Sequence, residues 1–86
     1  MQYQVIGIRA DYSHNTTCGA SVYNVFFCEQ DGRIYGPFSV RGYVLNHWHI
    51  SRGQSVSDGR PSWTVITRTT PSGREVIDEI KPCDEN

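Results

Sequence analysis

The sequence lacks the features that mark membrane and exported proteins. It has no apolar run of about 18 residues, the length that a transmembrane helix needs. It also has no basic segment followed by an apolar core near Met1, the pattern of a secretory signal peptide. We therefore expect a single domain over residues 1–86, with no membrane partner and a cytoplasmic location.

Cysteine is scarce, and its spacing does not fit the common cysteine-based sites. The chain has three cysteines, at positions 18, 28 and 83, and no C-x-x-C pair. An odd number of cysteines does not complete a disulfide framework, so we expect free thiols. A zinc site made from these cysteines and one histidine would match no familiar ligand spacing. The sequence therefore predicts no metal and no other cofactor.

Lysine is nearly absent, because Lys81 is the only one, whereas seven arginines lie within the first 74 residues. With four acidic residues, this segment carries a formal charge of +3, and residues 75–86 carry −4. Guanidinium groups bind phosphate bidentately, which lysine does not. The acidic tail disfavours broad attraction to nucleic acid, which needs a continuous basic face. Arg52 and Arg60 are the predicted contacts to any phosphate-bearing ligand.

Short runs of β-forming residues make up most of the chain. An Asp31-Gly32 turn joins two of them and predicts a β-hairpin, whose second strand should end at Gly36-Pro37 because proline lacks a backbone donor. Gly7 predicts a bulge or a close backbone approach in the first strand. The predicted strands are Gln2 to Ala10, Ala20 to Cys28, Arg33 to Phe38, Trp63 to Thr70 and Arg74 to Ile80.

The predicted fold class is α+β, a small antiparallel sheet in the order β-β-β-α-β-β with one helix packed on it. Two segments between these elements, Asp11 to Gly19 and Ser51 to Ser62, are rich in polar residues and predict surface loops. Residues 81–86 are expected to fray from the end of the last strand.

The only candidate helix lies between Gly36 and Gly53. Val40, Val44 and Trp48, with Leu45 beside them, form an apolar stripe at the helical period. Ser39 is the predicted N-cap and Gly53 the terminator. Against a helix, Gly42 costs roughly 1 kcal/mol relative to alanine in a helix interior. The alternation from Val40 to Ile50 also fits a strand.

The choice between helix and strand decides what His47 and His49 can do. On a strand both imidazoles would point to one face, as a metal site requires. On a helix they lie about 200° apart around the axis and do not share an ion. A metal-dependent hydrolase using this pair, with Cys28 or Asp58 as a third ligand, is therefore an alternative that depends on the strand.

Three segments together resemble a family of short bacterial and phage proteins known only as a domain of unknown function. They are the opening Tyr-x-Val-x-Gly-Ile-Arg from Tyr3 to Arg9, the segment from Ser39 to Gly53, and the strand-turn-strand from Trp63 to Ile80. The resemblance implies a prokaryotic or phage source and no established activity. The histidine pair and the long Ser/Arg segment depart from the family's pattern.

The preferred function is a non-enzymatic binding protein that inhibits or regulates a larger protein partner by occupying its surface. Tyrosine, tryptophan and arginine dominate the energetics of protein interfaces, and this chain is rich in them. A binding surface should show Tyr12, Tyr43 or Trp63 exposed as a patch. The first alternative is a nucleotide or nucleic-acid strand bound by Arg52, Arg60 and an aromatic side chain that stacks on a base. A homodimer is a further candidate assembly, since dimerisation buries an edge strand.

Overall fold

The fold is an antiparallel sheet with one short helix, seen in a computed structural model that describes residues 1–17, 20–56 and 59–83. In chain order the elements are β1 (Gln2–Thr17), β2 (Ala20–Glu29), β3 (Ile34–Arg41), α1 (Gly42–His47), β4 (Gly53–Val56), β5 (Trp63–Thr69) and β6 (Glu75–Pro82). The main sheet path is β3-β2-β1-β5-β6, and β4 pairs with a second stretch of β1. The sheet is open.

A β-bulge in β1 explains why the first strand does not alternate evenly. The pairing of β1 with β2 shifts register between Val5 and Gly7, close to the position that the sequence predicts. Because the bulge adds one residue, Tyr3 and Val5 before it and Ile8 and Ala10 after it all enter the same hydrophobic core. β1 is therefore the central strand that carries the core across the sheet.

The core fills the concave side of the sheet, where α1 closes it. Leu45 of the helix is fully buried, and Ile50, just after the helix, is nearly so. The remaining core side chains come from every strand of the main sheet path. They are Tyr3, Val5, Ile8, Ala10, Val25, Phe27, Val40, Val65 and Ile80.

The first strand is longer than the sequence predicts, and the polar loop expected from Asp11 to Gly19 is mostly strand. β1 runs to Thr17, which pairs with Ala20 of β2. Backbone pairing with β2 satisfies the peptide groups of this segment whatever its side chains are. Residues 18 and 19 lie outside the described residues. At the other end of the chain, where the sequence predicts that residues 81–86 fray, Lys81 and Pro82 belong to β6 and pair with Thr64 and Trp63 of β5. Residues 84–86 lie outside the described residues.

The predicted hairpin of β2 and β3 is confirmed, but the prediction that Gly36-Pro37 ends the pairing is wrong. β3 continues to Arg41, and the pairing of β3 with β2 shifts register between Val25 and Phe27 of β2. β3 is an edge strand of the main sheet path, where a proline without a donor is tolerated. The pairing therefore resumes beyond the proline.

The helix exists, but its predicted bounds are wrong. It covers only Gly42–His47, and Ser39, the predicted N-cap, lies in β3. The helix ends in a Schellman motif, since the N–H of Ile50 donates to the Leu45 carbonyl and the N–H of His49 to the Asn46 carbonyl. His49 adopts the left-handed conformation at φ 60° that this motif requires, so the helix stops before Gly53.

The predicted loop from Ser51 to Ser62 contains a strand. β4 pairs with Gly7 to Ala10 of β1, whose edge is free there because β5 reaches only from Gln2 to Val5. Residues 57 and 58 lie outside the described residues. Within the part of the chain that the structure describes, no helix is long and apolar enough to cross a membrane.

Candidate protein-binding surface

Tyr12, Tyr23 and Arg52 form a packed group at the end of the sheet beside α1. The rings of Tyr12 and Tyr23 meet edge to face with centroids 5.6 Å apart. The guanidinium carbon of Arg52 lies 5.0 Å from the centroid of Tyr23, within the range of a cation–π interaction. The sequence separates these residues widely, so only the fold brings them together.

The register of the sheet explains why Tyr12 emerges at this place. Tyr12 pairs with Tyr23, and Tyr23 pairs with Val40, so the three side chains share one face. Val40 is buried and Tyr23 is half-buried, whereas Tyr12 is 51% exposed. The core-facing row therefore continues beyond the core into solvent.

Arg52 also fastens the helix to this group. Its guanidinium donates to the Gly42 carbonyl at 3.1 Å and to the Asn46 side-chain oxygen. A Cβ atom at Gly42 would lie 3.1 Å from the Arg52 Nη2 atom and 3.3 Å from the Tyr23 ring. The glycine that weakens the helix prediction is thus the residue that allows the helix to approach the sheet closely.

Tyr43 follows Gly42 on the helix and is 62% exposed. Its hydroxyl accepts a hydrogen bond from the Arg41 guanidinium at 3.4 Å. With Tyr12, Tyr23 and Arg52, these residues make a surface of aromatic rings and cationic side chains. We call these five residues, Tyr12, Tyr23, Arg41, Tyr43 and Arg52, the tyrosine surface.

The other predicted contacts lie in different surroundings. Trp63 is only partly exposed and packs against the core, so it is not an exposed anchor of the predicted patch. Arg60 is exposed in the segment before β5, and its carbonyl accepts from the Ser62 hydroxyl. Arg52, by contrast, uses its donors on the helix. The binding of a phosphate by Arg52 and Arg60 stays a prediction.

The histidine pair lies at the end of the helix. His47 is the last helical residue, His49 is the left-handed residue of the Schellman motif, and both are exposed. The strand that the shared metal site requires is therefore not the structure found there. Among the described residues, no three His, Cys, Asp or Glu side chains are grouped to hold a metal ion. Asp58, one predicted third ligand, lies outside the described residues.

A polar pocket that sequence reasoning missed lies on the convex side of β1, β2 and β3. Arg41 and Arg74 line it together with the polar side chains of Ser13, Asn24 and Ser39, and its volume is about 400 Å³. Arg74 lies in the turn just before β6, and it reaches this pocket because the edge strands β3 and β6 approach each other. No sequence pattern relates residues 41 and 74, so this pair is visible only in the fold.

An apolar groove, which we call the outer groove, lies on the same convex side and has a volume of about 430 Å³. One row of directly paired residues crosses four strands through it. Arg9 and Asp11, whose side chains form an ion pair at 2.8 Å, flank this row along β1. From β3 to β4 the row reads Ile34, Cys28, Gly7 and Val56.

Two tyrosines with shifted pKa values belong to the core rather than to either surface. Burial, reinforced by the charge of Glu75, raises the pKa of Tyr3, and the hydrogen bond to Glu29 raises the pKa of Tyr35. The Tyr35 hydroxyl donates to Glu29 at 2.6 Å, and the Tyr3 hydroxyl donates to Glu75 at 3.3 Å. Both phenols are therefore protonated at neutral pH. Their role is to donate hydrogen bonds to the Glu29 and Glu75 carboxylates at the edge of the core.

Comparison with protein families, with curated proteins and with solved structures found no match to this chain. The resemblance to a domain of unknown function therefore stays a prediction, and the candidate surfaces are argued from their geometry alone.

Proposed function

We propose that this α+β chain is a non-enzymatic binding protein, cytoplasmic and of prokaryotic or phage origin, that inhibits or regulates a larger protein by occupying its surface. The tyrosine surface is the proposed contact region. The observation that supports this function is the exposure of two tyrosines, Tyr12 packed on Tyr23 and Tyr43 on the helix that Arg52 joins to Tyr23. A small domain gains stability by burying such rings, so their exposure favours a role outside the fold.

The fixed position of Arg52 suits this region for binding. Its contacts with Gly42, Asn46 and Tyr23 hold the guanidinium and the helix in place before any partner arrives. Less conformational entropy is then lost on association than with free side chains. Tyrosine also has few rotatable bonds for its contact area. The matching partner surface presents apolar side chains for the rings and carboxylates for Arg41 and Arg52.

Site-specific photo-crosslinking in the cells that produce the protein tests this function. We expect a benzophenone amino acid at position 12 and one at position 43 to yield the same protein adduct. The matched control carries the benzophenone in place of Gln30, which is exposed in the turn between β2 and β3, at the other end of β2 from Tyr23. No adduct at positions 12 and 43, or the same adduct at position 30, would contradict the proposal.

Binding to the captured partner then gives the magnitude. Tyr43→Ala is expected to weaken binding about 30-fold, since alanine substitution at a central interface tyrosine costs about 2 kcal/mol. Lys81→Ala, at an exposed position on β6 outside the tyrosine surface, serves as the control and should leave the dissociation constant within about twofold. The partner's own activity, assayed with and without the chain, shows whether binding inhibits it.

The polar pocket favours one alternative, the binding of a phosphate-bearing ligand such as a nucleotide. Arg41 and Arg74 supply two guanidiniums there, with Ser39 and Asn24 as neutral hydrogen-bonding groups. If this function is correct, Arg74→Gln should abolish calorimetric binding of pyrophosphate, whereas Arg60→Gln should not change it. Binding should also weaken as salt rises. Equal losses from the two substitutions would point to general electrostatic attraction rather than to the pocket.

A further inference from the structure

The convex face around the outer groove carries exposed apolar side chains that the chain itself does not cover. Ile34 is 72% exposed and Val56 is 64% exposed, at the two ends of the row that crosses the groove. The helix, the one described element outside the sheet, packs on the opposite, concave face through Leu45. Exposed apolar groups around a groove of this kind mark an interaction site.

We propose that a second copy of this chain covers this face and forms a homodimer with two-fold symmetry. The axis lies between β1 and β2, parallel to these strands, and the two convex faces pack against each other. A two-fold axis reverses the order of the row in the other copy. Ile34 then faces Val56 of the second copy, and Cys28 faces Gly7 of the second copy.

The side chains of this row complement their own reversed order. The two large aliphatic residues meet each other at the outer ends of the row. Near the axis, the Cys28 side chain meets Gly7, which has no side chain and leaves a hollow. Packing of large groups against large groups and of a side chain into a hollow is what dense packing between sheets requires.

The two neighbouring rows of paired residues also face compatible side chains when the same two-fold axis is applied. The first row does not impose this, so it is a separate test of the axis. Arg9 pairs with Phe26 within the chain, so the reversal places each Arg9 guanidinium over Phe26 of the other copy. Asp11 pairs with Asn24, so each carboxylate meets an amide of the other copy. No like charges face each other in these rows. The rows thus complement their own reversed order, with a cation over a ring and a carboxylate beside an amide, and this self-complementarity is the reason for choosing a second copy as the occupant.

Packed sheets usually cross at about 30°, so the correspondence is closest near the axis and loosens toward the ends. The pairs of Cys28 with Gly7 and of Arg9 with Phe26 lie next to the axis. Ile34 and Val56 lie farther from the axis, where the crossing angle displaces the two rows sideways. Their side chains are long enough to reach each other across that displacement. Within the tyrosine surface, the side chains of Tyr12 and Tyr23 extend from the concave face of the sheet, and Tyr43 lies on the helix, so both copies keep these three rings accessible.

Cysteine cross-linking between two differently labelled chains tests the dimer. Cys18→Ser, Cys28→Ala and Cys83→Ser remove the native thiols, and one chain then receives Ile34→Cys and the other Val56→Cys. Within one chain these positions are three strand spacings apart, about 14 Å, which is too far for a disulfide. Both positions are exposed, so neither substitution should affect folding.

We expect a covalent dimer when the two variants are mixed under mild oxidation, and at least tenfold less when either variant is oxidised alone. In a parallel experiment, Ile34→Glu in the native chain should halve the mass measured by sedimentation equilibrium. A native chain that sediments as a monomer would overturn the dimer. Equal cross-linking of the mixture and of the single variants would overturn this axis, and so would a dimer that withstands Ile34→Glu.

Discussion

Phe27→Ala is expected to lower the free energy of unfolding by about 3–5 kcal/mol, the usual cost of removing a buried phenylalanine side chain. Phe27 is 1% exposed. Its ring stacks on Tyr35 and Phe38 with centroids 5.1 and 5.5 Å away, and Tyr3 tilts against it at 5.2 Å. Three other rings therefore lose a packing partner at once, and urea denaturation measures the result.

Phe26→Ala is the matched control, since it removes the same atoms one residue away. Phe26 lies on the other face of β2, half-buried at the outer groove. In the Ile34→Glu chain, where the proposed dimer does not form, we therefore expect a loss of only about 1 kcal/mol. A ratio of about three or more between the two losses would confirm which face of β2 holds the core. Similar losses would mean that the strand's alternation is assigned incorrectly.

Gly36→Ala is expected to destabilise the chain by roughly 2–5 kcal/mol, because two separate costs add. Gly36 has φ +134°, a conformation that side chains disfavour by about 1–2 kcal/mol. A Cβ atom would also lie 2.7 Å from the Val25 carbonyl oxygen and 2.9 Å from the Phe26 ring. Relieving that overlap forces β3 away from β2, at a further cost of about 1–3 kcal/mol.

Gly32→Ala separates the two costs. Gly32 also has a positive φ, +93°, but no atom lies within 4 Å of the Cβ position. It should therefore lose only the conformational part, about 1–2 kcal/mol. If both alanine variants unfold at the same denaturant concentration, the close approach of β3 to β2 at Gly36 is not real.

Local signals in the sequence account for the parts of the fold that depend on nearby residues. The Asp31-Gly32 turn predicts the β2–β3 hairpin, and Gly7 predicts the bulge, because turns and bulges depend on backbone freedom at one or two positions. The apolar stripe also predicts that a helix follows β3. The predicted bounds of that helix are wrong. Pairing with β2 holds Ser39 in a strand, and the Schellman motif at His49 ends the helix early.

The candidate sites depend far less on local signals. Tyr12 and Tyr43 were predicted from residue type as exposed interface residues, and both are exposed. Trp63 was predicted for the same reason and instead packs against the core. Residue type alone does not distinguish an aromatic ring that fills a core from one that leaves it, since both uses favour a large apolar side chain.

The sequence by itself determined an antiparallel sheet with one helix, because alternation, turn glycines and the apolar stripe act over a few residues. Tertiary structure alone decided that Arg52 fastens the helix to Tyr23, that Arg74 joins Arg41, and that Ile34, Cys28, Gly7 and Val56 form one row. Each of these depends on strand order and register. Those are fixed by how all the strands bury the core together, and no short stretch of sequence encodes them.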